Sequence, residues 1–232
     1  MVRVEARAPK KLLMVEGAVG AGKSTVLRAI EARQLPGVCV IQEPVSSWQT
    51  IRYRGTNILD AMYAGTLDPA LFQLTIMNSR FGPLISALAN PDVDVVVSER
   101  GPWSERFVFA EPNLEPHDLV LYEFAHRGLL QLFSAVGKVQ VGFVYLSIGP
   151  EDALARVQKR GRAEEAGVDV DYMRKLDSAH TAMLDKLTTG AQLGDSSLFC
   201  DNVMVSTIDA TQSPHTVERC ACTVLDEFLK MR

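Results

Sequence analysis

The fold of this chain is decided by the stretch Gly17-Ala18-Val19-Gly20-Ala21-Gly22-Lys23-Ser24-Thr25. An apolar run at residues 12–15 precedes it and a helical pattern follows, which is the strand, loop and helix order of a P-loop. The glycines let consecutive backbone N–H groups turn toward phosphates, and the helix N-terminus adds partial positive charge. Lys23 supplies a full charge for the β- and γ-phosphates, and Ser24 is placed to ligate Mg²⁺. A plain glycine-rich turn would not require the Lys-Ser-Thr ending.

Length and composition predict one soluble-type domain. The chain has 232 residues and a mass of 25.5 kDa, enough for one large α/β domain with a buried core. No Pro- or Gly-rich linker divides it, so we expect a single domain over residues 1–232, with residues 1–10 flexible. Apolar stretches fall short of the roughly 18 residues of a membrane span, so we expect no membrane partner.

Charge and cysteine usage narrow the partners and the compartment. The net charge of −4 and the pI near 5.6 argue against a nucleic-acid partner, because such proteins need a basic field. The cysteines lack metal-ligand spacing and indicate a reducing compartment; they are Cys39, Cys200, Cys220 and Cys222. The basic opening segment lacks the apolar core of a secretory signal. We therefore expect a cytoplasmic protein and leave a mitochondrial location open.

Four further apolar runs indicate buried parallel strands, at residues 38–42, 93–97, 139–146 and 203–208. Helical patterns separate them and occupy residues 68–88, 116–136, 150–162, 169–188 and 213–231. The pattern predicts an α/β protein with the P-loop NTPase fold, in which a five-stranded parallel sheet carries helices on both faces. Ligands should gather beyond the carboxyl ends of the strands, where the P-loop lies.

The second predicted strand ends at Glu43, and Trp48 follows shortly after it. A carboxylate and an indole are thereby delivered to the same sheet edge as the phosphates, which suits an acceptor site. Glu43 can orient an attacking hydroxyl and take its proton during phosphoryl transfer. The alternative is a solvated glutamate that begins a loop.

The third predicted strand ends in Glu99 and Arg100. Glu99 can hold Mg²⁺ through its shell of water, and Arg100 can pair with Glu43 and steady it against the acceptor hydroxyl. A simple ion pair at a strand end is the alternative.

A cluster of cations follows the fourth predicted strand. Arg156, Lys159, Arg160 and Arg162 lie within two predicted helical turns, and Glu164 and Glu165 come next. In a P-loop protein, such an Arg-rich segment can form a lid over the transferring phosphoryl group. A solvated charge run is the competing interpretation.

These motifs together resemble the deoxyribonucleoside kinase family over residues 11–190. The segments that carry the resemblance are Glu43-Pro44-Val45 with Trp48, Phe72-Gln73, Glu99-Arg100 and residues 156–165. The resemblance implies a fold that binds ATP phosphates in the P-loop, with Glu43 as catalytic base and Arg100 beside it at the 5′-hydroxyl of a deoxynucleoside. Lys23, Arg156, Arg160 and Arg162 would neutralise charge as the lid closes.

The resemblance also assigns a nucleoside pocket. Tyr63 and Glu165 match residues that hold the sugar 3′-hydroxyl, and Gln73 matches the side chain whose amide pairs with the base edge. Trp48 and Phe109 would wall the base, unless they serve only as core. The remaining expected substrate contacts are Val45, Ile58, Met62 and Phe72.

Arg80 and Glu105 predict the preferred base. Arg80 lies seven residues after Gln73 on the same helical face, and Glu105 follows Glu99-Arg100 where the family places its second base-reading residue. Members with an arginine and an acid there resemble the deoxycytidine and purine-deoxynucleoside kinases, so we expect these substrates ahead of thymidine. Two departures stand out: Gly101 replaces the usual Ser, and Glu105 replaces the more familiar Asp.

Two further expectations concern the adenine side of ATP and the oligomeric state. Asp209 and Thr211, after the last predicted strand, are expected on the adenine side of ATP. The resemblance suggests a homodimer packed through helices that start near Arg100 and Pro116. The apolar residues there that exceed the needs of one core face are Leu119, Leu121, Tyr122, Phe124 and Ala125.

Two other functions compete with this interpretation. A nucleoside monophosphate kinase shares the P-loop and lid, but Glu43 would repel its acceptor phosphate. A P-loop regulatory switch of the GTPase type would carry an Asn-Lys-x-Asp motif, and the sequence has none.

Overall fold

The structure, a computed structural model, describes residues 9–162, 165–188, 199 and 202–231. Its strands are β1 (Lys10–Glu16), β2 (Val38–Ile41), β3 (Arg52–Tyr53), β4 (Thr56–Asn57), β5 (Val95–Glu99), β6 (Val139–Ser147) and β7 (Met204–Asp209). Five of them form one parallel sheet in the order β2-β5-β1-β6-β7. The predicted sheet is confirmed, with shifts of one or two residues at the strand ends.

Helices surround the sheet. They are α1 (Lys23–Glu31), α2 (Val45–Thr50), α3 (Ile58–Tyr63), α4 (Pro69–Ala89), α5 (Pro102–Ser104), α6 (Pro116–Leu130), α7 (Pro150–Arg160), α8 (Val170–Thr188) and α9 (Pro214–Lys230). A π-helical turn, Glu105–Ala110, follows α5, and a 3₁₀ segment, Gln131–Val136, extends α6. Among the described residues, no helix is both long and apolar enough to span a membrane.

Two predicted helices end earlier than the sequence suggested. The helix predicted over residues 150–162 stops at Arg160, because Gly161 adopts the left-handed conformation with φ of +68° and caps it. Arg162 therefore lies beyond α7. The helix predicted over residues 116–136 is α-helical only as far as Leu130.

The buried apolar residues of the described part of the chain form two clusters. The main cluster surrounds the sheet, whose central strands β1 and β5 are buried along almost their whole length. A second set of buried residues, which we call the pocket-side cluster, joins α2, α3 and α4; its members are Trp48, Ile58, Leu59, Ala61, Leu67, Phe72 and Ile76. This second cluster forms a wall beside the carboxyl ends of the strands.

Some sequence expectations for individual residues change in the structure. Tyr122 is fully buried in the main cluster, so it belongs to the core and not to the apolar surplus expected on α6. The strand β2, which was expected to be buried, is half-buried along its length, Cys39 included. Cys200, Glu164 and residues 1–8 lie outside the described residues.

Candidate active site

A cavity of about 860 Å³ opens at the carboxyl ends of the parallel strands. Residues 19–25 of the P-loop line one end of it, and side chains from α2, α3 and α4 line the other. Parallel strands deliver their carboxyl ends to one edge, so the loops after β1, β2 and β5 meet there. The cavity is large enough for two connected ligands.

Lys23 joins the two ends of the P-loop by hydrogen bonds. Its Nζ donates hydrogen bonds to the carbonyl oxygens of Gly17 and Ala18, at 3.1 and 3.0 Å. Burial lowers the pKa of Lys23 to about 8, with nearby Arg100 adding to the fall and acids such as Glu99 opposing it. A bound polyphosphate would favour the charged form of this lysine.

Ser24 and Glu99 form the candidate metal site. Ser24 Oγ donates to Glu99 Oε2 at 3.0 Å, and Lys23 Nζ lies 3.9 Å from Glu99 Oε1. Among the described residues, no group of three or more His, Cys, Asp or Glu side chains can hold a metal. The hydroxyl and the carboxylate nevertheless fit Mg²⁺, which keeps several waters and takes phosphate oxygens with one or two protein oxygens.

Glu43, just after β2, lies between two arginines. Its Oε1 accepts a hydrogen bond from Arg80 Nη2 and lies 3.6 Å from Arg100 Nε. Burial alone would raise the pKa of the Glu43 carboxyl, but the positive charges of Arg80 and Arg100 outweigh it and hold this pKa below its ordinary value. Glu43 is therefore ionised at neutral pH, with its Oε1 facing both arginines.

Arg100 is held in a fixed position after β5. Its backbone adopts the left-handed conformation, with φ of +64°, and its guanidinium carbon lies 4.5 Å from the centre of the Phe109 ring. Behind it, Nη1 lies 3.9 Å from Oε2 of Glu16, a fully buried carboxylate at the end of β1. Glu16 is not among the residues predicted for the site, although an acid that ends an apolar strand beside a P-loop is a usable signal.

The far end of the cavity carries the second arginine. Arg80, on α4, pairs with Glu105 through Nη1 and lies with its guanidinium carbon 5.0 Å from the centre of the Trp48 ring. Trp48 is itself fixed, because its Nε1 donates to Ser79 Oγ at 2.9 Å. Gln73 lines the cavity on the same helix as Arg80. Glu105 begins the π-helical turn, which the helical pattern did not predict.

The arginine-rich segment borders the P-loop side of the cavity. Arg160 Nη2 donates to both carboxylate oxygens of Glu165, at 2.7 and 2.8 Å, and Arg162 Nη1 donates to Oε1 of the same acid at 3.4 Å. Arg156 Nη2 donates instead to the carbonyl oxygen of Ala210 at 2.7 Å. All three arginines and Glu165 line the cavity, whereas Lys159 is exposed and does not.

Most of the residues predicted for the site line this one cavity. Those that do not are Gly17, Ala18, Ile58, Asp209 and Thr211. Gly17 and Ala18 lie within the loop, where their carbonyl oxygens accept from Lys23, and Ile58 is buried in the pocket-side cluster. Asp209 Oδ1 accepts from the backbone and hydroxyl of Thr211, and their neighbours Ala210 and Gln212 line the cavity instead.

Several lining residues lacked a usable sequence signal. Tyr172 reaches the cavity from α8, and Leu59, Leu67 and Ile76 do so from the pocket-side cluster. In the sequence these are ordinary apolar or aromatic residues of helical segments. Only the packing of one helix against another brings them to the site.

The geometry agrees with what the chain resembles among known proteins. The family model described as "Deoxynucleoside kinase" matches residues 13–229. A thymidine kinase of Ictalurid herpesvirus 1 (strain Auburn) is 32% identical over 185 residues, 73% of this chain and 72% of the relative. Deoxyguanosine kinase, mitochondrial, of Xenopus laevis is 32% identical over 203 residues, which are 77% of this chain and 75% of the relative. Deoxycytidine kinase 2 of Gallus gallus is 29% identical over 199 residues, which are 76% of this chain and 74% of the relative.

Proposed function

The chain belongs to the deoxynucleoside kinase family, and from that premise we propose that it transfers the γ-phosphoryl group of ATP to a deoxynucleoside 5′-hydroxyl. Deoxycytidine and the purine deoxynucleosides are its preferred acceptors over thymidine. The observation that carries the proposal is a single one: Glu43 and the P-loop lysine Lys23 face the same cavity.

Glu43 acts as the general base in this proposal. An incoming 5′-hydroxyl donates to the carboxylate, and Arg100 holds that carboxylate in place from the side. As the oxygen attacks the γ-phosphorus in line, its proton passes to Glu43. The transition state is largely dissociative, so a modest base suffices.

Cationic side chains balance the charge that moves during transfer. Lys23 faces the β- and γ-phosphates, and Arg160 and Arg162 approach from the lid side while Glu165 holds them. Ser24 and Glu99 would hold Mg²⁺, directly and through water respectively. A metal ion held there would supply positive charge to neutralise the transferring phosphoryl group. Residues near Ala210 and Gln212 lie where the adenine side is expected.

The base preference follows from the charges at the far end of the cavity. Arg80 and Glu105 offer a donor and an acceptor to a base edge, and Gln73 offers both from one amide. These hydrogen-bonding groups suit cytosine and the purines. Thymine carries a methyl group, which would be better accommodated by small or apolar side chains at these positions. Because relatives with different named substrates match this chain, the order of acceptors is a proposal.

The first experiment measures transfer of labelled phosphate from ATP to each of the four deoxynucleosides. We expect 5′-monophosphates, with thymidine turned over most slowly. Fastest turnover of thymidine would contradict the base preference. Transfer to a deoxynucleoside monophosphate but to no deoxynucleoside would favour a monophosphate kinase, and phosphate release without acceptor would favour a regulatory switch.

The second experiment tests the general base. Glu43→Gln removes the proton acceptor while keeping the size of the side chain, so we expect turnover to fall by about 10²–10⁴-fold. ATP affinity, which depends on the P-loop, should stay within a factor of about two to three, as measured by a fluorescent nucleotide titration. Near-normal turnover in this variant would show that Glu43 is not the base.

A further inference from the structure

One guanidinium group joins the two ends of the acceptor site. Arg80 hydrogen-bonds to Glu43 through Nη2 and pairs with Glu105 through Nη1. Its side chain is 13% exposed and that of Glu105 is 1% exposed, so both sit in surroundings where an ion pair is weakly screened. The same residue therefore contacts the proposed general base and the proposed base-reading acid.

The hydrogen bond from Arg80 occupies a carboxylate oxygen of Glu43, the group that would accept the proton. Arg80 Nη2 and Arg100 Nε both approach Oε1 of Glu43, and a carboxylate oxygen that faces two cations is a poorer proton acceptor. Among the residues that the structure describes, the charged or titratable groups that face Glu43 from the elements around it are Lys23 of α1, Arg80 of α4, Arg100 after β5, Arg162 after α7 and Tyr172 of α8. Glu105 reaches it only through Arg80.

Arg80 can leave Glu43 without leaving its pocket. The face of its guanidinium lies against Trp48, and Nη1 remains on the buried Glu105, so only the Nη2 end has to turn. A nucleoside base presents ring-nitrogen or carbonyl acceptors at that end of the cavity, and such an acceptor competes for the Nη2 donor. A base whose edge is paired with Gln73 on the same helix would be held beside Arg80, so it would compete for Nη2 more effectively than bulk water.

From this geometry we propose that Arg80 restrains Glu43 in the empty enzyme, and that a nucleoside base releases Glu43 by drawing Arg80 to itself. The proposal rests on the proposed function and adds a coupling between base recognition and proton transfer. Arg80 then acts as a positioning residue for Glu43 as well as a contact to the base. An acceptor that has a 5′-hydroxyl and no base would bind beside a general base that is still restrained.

The test compares two acceptors that share the 5′-hydroxyl, deoxycytidine and 1,2-dideoxyribose, which lacks a base. Wild type should have a far lower kcat for dideoxyribose than for deoxycytidine. Its KM for dideoxyribose should also be higher. Arg80→Gln removes the restraint, so its kcat for dideoxyribose should rise by about tenfold, the size of a lost charge contact of about 1.4 kcal/mol. Its KM for deoxycytidine should increase.

Glu105→Gln is the matched variant. It removes the acid that competes for Arg80 and so tightens the contact of Arg80 with Glu43, which should lower kcat for dideoxyribose. A rise in Arg80→Gln without a rise in Glu105→Gln supports the coupling. An unchanged or lower kcat for dideoxyribose in a folded Arg80→Gln protein overturns it and leaves Arg80 as a base contact only.

A measurement on wild type alone keeps the proposal testable if Arg80→Gln does not fold. The acid limb of kcat/KM reports Glu43 in the free enzyme, and that of kcat reports it in the bound complex. With deoxycytidine the kcat limb should lie at higher pH than the kcat/KM limb, because Arg80 has moved away; with dideoxyribose the two should coincide. Coincident limbs with deoxycytidine overturn the coupling. Failure of wild type to phosphorylate deoxycytidine or any other deoxynucleoside would instead end the proposed function itself.

Discussion

Gly101, directly after Arg100, shows how packing alone can require a glycine at one position. Its backbone is extended, with φ of −163°, so glycine is not required there by conformation. A Cβ at this position would lie 2.1 Å from Sδ and 2.8 Å from Cγ of Met14 on β1. The thioether of Met14 therefore occupies the space that a serine side chain would need.

We predict that Gly101→Ser destabilises the protein by about 1–3 kcal/mol, because it overpacks the buried contact with Met14. In a Met14→Ala background the same substitution should cost much less. Urea denaturation of the four proteins completes a double-mutant cycle. Equal costs of Gly101→Ser in both backgrounds would show that Met14 is not the obstacle.

Glu16 predicts a pH dependence of folding stability. Burial raises the pKa of its carboxyl from 4.5 to about 7, although Arg100 opposes the shift. Between these values the folded protein holds a proton that the unfolded chain has lost. The stability from this group is therefore present below pH 4.5 and is lost as the pH rises through 7.

Glu16→Gln carries a neutral amide at every pH and should escape that loss. The free energy of unfolding of the variant, relative to wild type, should rise by about 3 kcal/mol from acid to slightly alkaline pH. Urea denaturation at several pH values measures it, and other shifted groups cancel in the difference. Glu151→Gln is the control, since Glu151 is exposed and the difference should stay nearly flat above pH 5. A flat profile for Glu16→Gln would contradict the buried-acid assignment.

At the scale of elements, the sequence predicts those strands and helices that are long enough to show an apolar periodicity. The buried strands and the long helices carry that signal, and parallel strands necessarily deliver Glu43, Glu99 and Arg100 to one edge. The β3–β4 hairpin has two residues in each strand, too few for a pattern. The π-helical turn at Glu105 and the early end of α7 depend on local backbone geometry. Whether Arg80 turns to Glu43, to Glu105 or to both is decided only by packing.

Because the pocket-side cluster forms the wall at the nucleoside end of the cavity, we predict that a change in its packing affects deoxynucleoside binding and leaves ATP binding unchanged. Ile58 is buried within it and does not line the cavity, whereas its cluster neighbours Trp48 and Phe72 do. Ile58→Ala should cost about 2–5 kcal/mol of stability and loosen that wall. We expect a several-fold higher KM for the deoxynucleoside, with the KM for ATP within about twofold, since the P-loop packs in the other cluster.

Leu225→Ala is the matched control for this prediction. Leu225 is fully buried in α9 within the main cluster, so its truncation should cost similar stability. The KM for the deoxynucleoside should then stay near the wild-type value. Equal effects of the two variants on that KM would mean that general destabilisation, and not the wall, controls nucleoside binding.

At the scale of the whole molecule, α6 leaves an apolar surface uncovered. Val120, Leu121 and Phe124 are 63%, 68% and 75% exposed and lie on one side of the helix. Apolar patches of this kind mark protein interfaces, and a two-fold axis can pair the same patch on two copies. We therefore propose a homodimer through α6. Of the residues expected there, Leu121 and Phe124 are exposed, whereas Leu119 and Ala125 pack half-buried against the main cluster and Tyr122 is core.

Phe124→Glu should convert that dimer to a monomer, because pairing the patch would bury one unpaired carboxylate from each copy. The fold should be almost unaffected, since an exposed substitution changes stability by about 0.5 kcal/mol or less. Analytical ultracentrifugation at micromolar concentration should give a dimer for wild type. It should give the same for the control Thr223→Glu, which adds a charge at an exposed position of α9. A wild-type monomer, or a Phe124→Glu protein that remains dimeric, would show that α6 is not the interface.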